Sequence, residues 1–275
     1  MIALRRGMPA LALLAGVASA ASAAAVERPL WELGIGVAGL RLPHYRGSDQ
    51  SHNWLLPAPY VVYRGEIFKA DRDGARAVVF ESDRVDIDLS LAASAPTRSG
   101  DNRARQGMAD LAPSFEIGPN LNLTLARGAG WKLDLRAPLR AAVTFESRPQ
   151  AIGWIATPNL NLDLTRLQGW NLGLQAGAVF ASRRFNAHFY DVSLADATAQ
   201  RPAYRSAGGG GGAQLTAALS RRLNDCWMGF FARFDSLQGA RFVDSPLLRQ
   251  RHNVALGFAV SWVLRTSTDT VSVAE

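Results

Sequence analysis

The sequence WKLDLRAPLRAAVTFE, from Trp131 to Glu146, alternates apolar and polar residues along almost its whole length. Every odd-numbered residue from Trp131 to Phe145 is apolar. The even-numbered positions include five charged residues: Lys132, Asp134, Arg136, Arg140 and Glu146. Alternation with a period of two predicts a β-strand with one apolar and one polar face. The stretch also exceeds the roughly 5–6 residues that are usual for strands of soluble proteins.

The same alternation recurs along the rest of the chain, for example at 85–91, at 111–126, where Glu116 lies on the polar face, and at 253–264. We predict about twelve strands from this pattern. They fall near 31–42, 53–64, 65–71, 75–82, 84–94, 109–126, 130–145, 152–165, 170–184, 212–223, 226–237 and 250–264. Prolines at 113, 119, 138 and 158 lie within these ranges. They predict bulges or local breaks, because proline cannot donate to a sheet ladder.

Alternation alone does not say which face points outward. An apolar face that points inward is typical of a soluble sandwich or a lipocalin-like barrel. An apolar face that points outward is typical of a transmembrane barrel. Two features favour the second architecture: several predicted strands reach the roughly 9–11 residues that a membrane strand needs, and the polar faces carry small, amide and charged residues, as a polar lumen does.

The connections between the predicted strands differ in length in a regular way. Those at one end are mostly long: 43–52, 95–108, 146–151, 185–211 and 238–249, with 72–74 as a short exception. Those at the other end are tight: 64–65, 82–83, 127–129, 166–169 and 224–225. Outer-membrane barrels have short periplasmic turns and longer external loops. The sequence therefore predicts an all-β fold, a closed antiparallel transmembrane β-barrel over residues 24–275, with residues 265–275 as a C-terminal tail.

The first residues of the chain have the features of a secretory signal. Arg5 and Arg6 give a basic start, an apolar run follows from Met8 to Val17, and Ala21-Ser22-Ala23 supplies small residues for cleavage. The apolar run is shorter than the roughly 20 residues of a membrane-spanning helix. We therefore predict a cleaved signal peptide at residues 1–23 rather than a membrane anchor.

Charge and cysteine content exclude several classes of function. The 275-residue chain has a formal charge of +7, and removal of residues 1–23 leaves +5. No Arg/Lys cluster is interleaved with aromatic residues, and an exported protein does not meet nucleic acid, so we expect no nucleic-acid partner. The single cysteine, Cys226, cannot form an internal disulfide, and no zinc-type spacing is present. We predict no cofactor.

Three groups of residues are candidates for chemistry. The predicted lumen carries Glu116, Lys132, Asp134, Arg136 and Arg140. These charges either pair across strands and fill the lumen or line a selective pore; a barrel of this size lies between filled and open barrels. The four histidines, His44, His52, His188 and His252, fall at the predicted external end without ligand-like spacing. Ser48, Asp49, His44 and Asp191 could supply a hydrolase only if the fold brought them together.

Three motifs resemble those of one known family. They are Pro43-His44-Tyr45-Arg46-Gly47-Ser48-Asp49 followed by Leu56-Pro57-Ala58-Pro59-Tyr60, then Pro202-Ala203-Tyr204 before the glycine run 208–212, and finally Asp244-Ser245-Pro246-Leu247-Leu248. Together they resemble the MltA-interacting protein/OmpV family, over roughly Trp31 to Leu264. The chain departs from the usual form of outer-membrane barrels at its end, which is not aromatic.

The resemblance implies a protein of the outer membrane of a Gram-negative-type bacterium, in contact with outer-membrane lipid. It also implies a non-enzymatic scaffold whose partners are a periplasmic lytic transglycosylase and a murein synthase. Members of the family are also associated with small-molecule passage, so a narrow channel for small solutes is the alternative. The resemblance supplies no catalytic residues.

Overall fold

The computed structural model of the chain describes residues 25–65, 68–71, 74–145 and 148–274. The predicted signal peptide, residues 1–23, lies outside the described residues. In the described part, no helix has the length and apolar character needed to cross a membrane. The strands are β1 (Ala25–Pro29), β2 (Trp31–Pro43), β3 (Ser51–Arg64), β4 (Phe68–Asp71), β5 (Gly74–Glu81), β6 (Val85–Ser94), β7 (Ser114–Gly128), β8 (Trp131–Phe145), β9 (Pro149–Ala156), β10 (Asn159–Leu167), β11 (Trp170–Ala181), β12 (Gly209–Leu223), β13 (Cys226–Ser236), β14 (His252–Thr266) and β15 (Thr270–Ala274).

Strands β2 to β14 form one antiparallel sheet that closes on itself. Each strand except β9 pairs with the next one along the chain, and β14 pairs with β2 from Leu256 opposite Arg41 to Thr266 opposite Glu32. Segments β9 and β10 lie end to end between β8 and β11, so the described wall has 12 strand positions. The predicted all-β antiparallel barrel is confirmed.

The two faces of the wall differ in the way that the alternation predicts. Outward side chains are apolar and exposed in the isolated chain, as with Leu55 at 72% and Trp262 at 52%. Many inward side chains are polar and buried, as with Glu32 and Asp134 at 1% each. A barrel in lipid requires this arrangement of the two faces, because hydrocarbon cannot solvate charges.

Several predicted boundaries need correction. The strand predicted at 152–165 is two segments, β9 and β10, because Pro158 interrupts the ladder between them. The strand predicted at 109–126 begins only at Ser114, since Leu111 forms a separate bridge with Thr97. Pro119 and Pro138, by contrast, lie within the continuous strands β7 and β8.

The longest external connection contains a helix that the sequence analysis did not predict. Helix α1 (Arg183–Tyr190) follows β11 directly, so the predicted strand 170–184 ends earlier, at Ala181. The Ser182 hydroxyl accepts a hydrogen bond from the Phe185 N–H and caps the helix.

The ends of the described chain meet outside the barrel. The last barrel strand, β14, continues to Thr266, and Thr270–Ala274 then pairs antiparallel with Ala25–Pro29 as a separate two-stranded sheet. Because β1 leads directly into β2 beside Arg64, this pair lies at the end with the short turns. The predicted C-terminal tail is thus partly strand.

Candidate functional site

The long loops at one end of the barrel pack into a folded unit, which we call the external cap: residues 43–50, 95–113, 182–208 and 237–251. The cap has its own core, made of buried Tyr45, Leu111, Tyr190, Leu237, Ala240 and Phe242. The Tyr190 and Phe242 rings stack with their centroids 3.8 Å apart. Aromatic stacking of this kind adds about 0.5–1.5 kcal/mol to the free energy of apolar burial.

Inward-facing side chains of the barrel hold the first loop of the cap within the mouth of the lumen. The Asn253 amide of β14 accepts a hydrogen bond from the Gly47 N–H and donates one to the Ser48 carbonyl at 2.8 Å. The Asp235 carboxylate of β13 accepts from Arg46 Nε at 3.0 Å. Because Asp235 and Asn253 are neighbours in register and both are buried, they form one polar platform.

The structure places all eight residues of the family motifs, Pro43, Tyr45, Gly47, Ser48, Asp49, Asp244, Ser245 and Pro246, in or beside this cap. Several of them make its long-range bonds. The Tyr45 hydroxyl donates to the Leu247 carbonyl at 2.7 Å, and the Ser245 hydroxyl donates to the Tyr190 carbonyl at 2.7 Å. Asp49 pairs with Arg103 at 2.9 Å on the surface. These contacts join one loop of the cap to another.

Two arginines that the sequence analysis did not single out connect the loops. Arg105, nearly buried, donates to the carbonyls of Phe189 and Ala109 at 3.2 Å each. Arg201 donates to the carbonyls of Ala104 and Gln106 at 3.0 Å. The Ala109 contact lies within one loop, but the contacts of Arg105 with Phe189 and of Arg201 with Ala104 and Gln106 join loops that are far apart in the chain, so no local sequence signal marks them.

Burial shifts the titration of groups within the cap. It lowers the pKa of His188 from 6.5 to about 4, with a further contribution from the positive charge of Arg105. Burial also raises the pKa of Tyr45 to about 12 and raises the pKa of Tyr190. The interior of the cap therefore disfavours charged side chains.

The five predicted lumen charges lie on inward faces and form ion pairs, some within β8 and some with neighbouring strands. Arg140 of β8 donates to Glu116 of β7 at 3.0 Å, and Lys132 lies 3.2 Å from Asp134. Arg136 lies 3.4 Å from Asp163 of β10 and 3.7 Å from Asp134. The pairs of Arg140 with Glu116 and of Arg136 with Asp163 fit the interpretation that these charges pair across strands and fill the lumen. Their role in a selective pore stays a prediction.

Another charged group, near the short-turn end, was not predicted. Glu32 of β2 is buried and accepts hydrogen bonds from Arg64 of β3 at 2.6 Å and from Arg222 of β12.

Between the Glu32 group and the cap, a cavity of about 360 Å³ reaches Arg136, Asn161, Gln175, Thr216, Trp227 and Phe231. A larger depression of about 650 Å³ lies mainly against outward residues such as Leu55, Phe230 and Phe258, so it belongs to the apolar exterior.

The candidates for metal binding and hydrolysis do not converge. The His44 and His52 rings are 6.4 Å apart, His188 is enclosed beside Phe189, and His252 stacks on Phe234. Over the described ranges, no group of three or more His, Cys, Asp or Glu side chains could hold a metal ion.

Among the described residues, the candidate nucleophile Ser48 does not contact a base either. The Ser48 hydroxyl bonds with Asn102 and with the Gln50 carbonyl, while His44 Nδ1 lies 3.1 Å from the Asn102 amide. Asp191 bonds with Ser206 at 2.6 Å, in a different part of the cap. These contacts give no nucleophile–base pair of the kind that hydrolysis requires.

Comparison with known proteins gives one family and several structural likenesses. The family model for MltA-interacting protein MipA matches residues 35–264. No curated protein matches the chain significantly. A bacterial polysaccharide outer membrane secretin is 10% identical, over 85% of this chain and 99% of that one, with a TM-score of 0.41. The NanC porin is 7% identical, over 84% and 100%, with a TM-score of 0.40. The Salmonella typhi outer membrane phospholipase dimer with bound calcium is 9% identical, over 86% and 92%, with a TM-score of 0.35.

Proposed function

Since the chain belongs to the MltA-interacting protein MipA family, we propose that this outer-membrane β-barrel is a non-enzymatic scaffold that binds murein-remodelling enzymes from its periplasmic end. The partners proposed are a lytic transglycosylase, to which the family name refers, and a murein synthase. Outer-membrane lipid surrounds the barrel wall.

The periplasmic end carries the observation that supports this proposal most. Strands β1 and β15 pair only with each other in the described chain, so both outer edges of this small sheet are without a strand partner. A two-stranded sheet is marginally stable alone in water, and an open edge is a template for an added strand. The pair and the neighbouring tight turns, such as Asn224-Asp225, are the surfaces that a periplasmic protein would meet.

The experiment is capture of a purified lytic transglycosylase and a murein synthase by the mature barrel in lipid nanodiscs. A first variant lacks residues 267–275, and a second carries Asp83→Ser with Asp225→Gly, which keep turn-forming residues while removing charge. The matched control is Asp49→Asn with Arg103→Gln on the external cap. We expect the periplasmic variants to lose capture and the control to retain it. Capture that survives both periplasmic variants, or no capture by the unaltered barrel, would refute the scaffold proposal.

The lumen cavity favours a second candidate function, a narrow channel for small solutes. The cavity of about 360 Å³ has charged and amide groups on its wall, including Arg136, Asn161 and Gln175. If solutes pass along it, Arg136→Gln or Arg140→Gln in planar bilayers should shift ion selectivity toward cations. The outward neighbours Leu135→Ala and Leu139→Ala are the controls and should leave selectivity unchanged. The channel function would be contradicted if the barrel gave no conductance, or if its ion selectivity were unchanged in both arginine variants.

A further inference from the structure

Two neighbouring strands of the barrel pair as a hairpin that ends below their neighbours. In the described residues, β4 (Phe68–Asp71) and β5 (Gly74–Glu81) pair as far as Asp71 opposite Gly74, whereas β3 and β6 cover Ser51–Arg64 and Val85–Ser94. A transmembrane strand needs roughly 9–11 residues. The β4–β5 hairpin therefore fills the wall only in part of its height.

The register locates the part of the wall that the hairpin does not fill. Among the described residues, β3 pairs with β4 at Tyr63 and Arg64, and the last pair of β6 with β5, toward the external end, is Leu89 with Ala77. Within the residues that the structure describes, Ser51–Val62 and Ser90–Ser94 thus have a strand partner on one side only. We call the space between these two segments, above the β4–β5 hairpin, the lateral opening.

The external cap bounds the lateral opening on its fourth side. The Gln50 amide donates to the Asp101 carbonyl at 3.0 Å and accepts from the Arg103 N–H at 2.7 Å. These bonds join the loop that precedes β3 to the loop that follows β6. The lateral opening is therefore bounded on all four sides, by β3, β6, the β4–β5 hairpin and the external cap. The first loop of the cap occupies the external mouth of the lumen above the opening.

Two prolines remove hydrogen-bond donors from the exposed edge of β3. The Arg64 N–H donates to the Leu30 carbonyl at 2.8 Å, on the side of β2. The pairing of β2 with β3 is continuous, so alternate residues point their N–H groups to alternate sides. Pro57 and Pro59 therefore occupy positions whose N–H would point into the lateral opening. Proline at an edge discourages the addition of another strand, and it also reduces the cost of exposing that edge to hydrocarbon.

The two sides of the lateral opening differ in chemistry. On the β3 side, the inward positions are apolar: Trp54, Leu56 and Ala58, with Leu56 still 42% exposed. On the β6 side, the Ser90 hydroxyl accepts from Arg140 at 3.2 Å, and Arg140 also bonds with Glu116. An apolar surface thus faces a polar network across the opening.

We propose that the lateral opening admits a single-chain amphiphile, such as a fatty acid, from the outer membrane into the barrel. The acyl chain lies along Trp54, Leu56 and Ala58, and the polar headgroup faces the network of Ser90, Arg140 and Glu116. This route reaches the lumen from the side, where the external cap does not cover it. The binding site is independent of the periplasmic surface that the scaffold uses.

Photo-crosslinking in nanodiscs that contain a tagged fatty acid tests the route. A benzophenone amino acid is placed at inward Leu56 beside the opening, at inward Thr216 in the closed wall, and at outward Leu215. We expect labelling at Leu56 to approach that at Leu215 and to exceed that at Thr216 by about tenfold, because acyl chains are excluded from a closed polar lumen. Labelling at Leu56 as weak as at Thr216 would overturn the proposal.

Two further measurements distinguish fatty-acid binding in the lateral opening from pairing of the β3 edge with a second barrel. Ala58→Trp narrows the opening and should abolish saturable binding of a fluorescent fatty acid, whereas Ala213→Trp, exposed in the closed wall, should not. In a Cys226→Ser background, Leu55→Cys reports on contact between the β3 edges of two barrels. Rapid disulfide-linked dimers would assign the edge to strand pairing between copies and would contradict the proposal, as would unchanged binding by the Ala58→Trp variant.

Discussion

At the scale of single residues, the backbone conformation and the surroundings of Gly47 both favour glycine, whereas the surroundings of Gly100 do not. Its φ of 94° lies in a region that favours glycine, and an added Cβ would come within 2.9 Å of Leu248. Gly100, in the same cap, has no atom within 4 Å of such a Cβ. We expect Gly47→Ala to destabilise the cap by about 1–2 kcal/mol and Gly100→Ala to be nearly neutral, as measured by amide hydrogen exchange of the cap. Equal protection in the two variants would contradict the role assigned to Gly47.

His188 predicts how the cap responds to pH. Its pKa is about 4 in the folded cap, because of burial and then Arg105, against 6.5 for an ordinary histidine. Between pH 4 and pH 6.5 the folded state therefore binds fewer protons than the unfolded state. The contribution of the neutral, buried His188 to the free energy of unfolding is complete above pH 6.5, and it is lost as the pH falls toward 4. We expect protease sensitivity of the cap to rise over this window in the unaltered protein, and to rise less in His188→Phe. Identical pH profiles for the two proteins would show that His188 does not titrate in this way.

At the scale of the elements, Glu32 ties three strands together near the periplasmic end. The buried carboxylate of β2 is shared by Arg64 of β3 and Arg222 of β12. Glu32→Gln leaves two arginines without their counter-ion, so we expect a loss of about 3–5 kcal/mol in the free energy of unfolding. Urea unfolding of the barrel in lipid measures this difference in the free energy of unfolding. The exposed pair of Asp49 with Arg103 is the comparison, and Asp49→Asn should cost less than about 1 kcal/mol. A similar small loss for both would mean that Glu32 is effectively solvated.

At the scale of the whole molecule, the barrel has one face toward lipid and one toward the lumen. Leu215 is outward and 51% exposed, while its neighbour Thr216 borders the lumen cavity. Leu215→Arg places a charge in hydrocarbon near the middle of β12 and should cost about 2–4 kcal/mol. Thr216→Arg should cost clearly less, because its side chain enters a polar lumen. Folding yield and urea midpoints in lipid vesicles compare the two. A larger loss for Thr216→Arg would contradict the assignment of the two faces.

The sequence by itself determined the faces of the wall and nearly all of its strand positions. Period-two alternation is a local property, so a stretch such as 131–145 specifies a strand and its polar side without reference to the rest of the chain. The lengths of the connections likewise separate the two ends of the barrel. The inward placement of Arg136 and Arg140 follows from the same parity, because residues two apart in a strand share a face.

Only the tertiary structure decided the external cap, the pairing of β1 with β15 and the lateral opening. The Tyr45 hydroxyl and the Leu247 carbonyl are separated by 202 positions in the chain. They meet because closure of the barrel brings all its long loops to one mouth. The lateral opening depends on how far β4 and β5 reach against β3 and β6, which is a matter of register between strands. Loops and registers of this kind are fixed by contacts between distant segments, which local alternation does not encode.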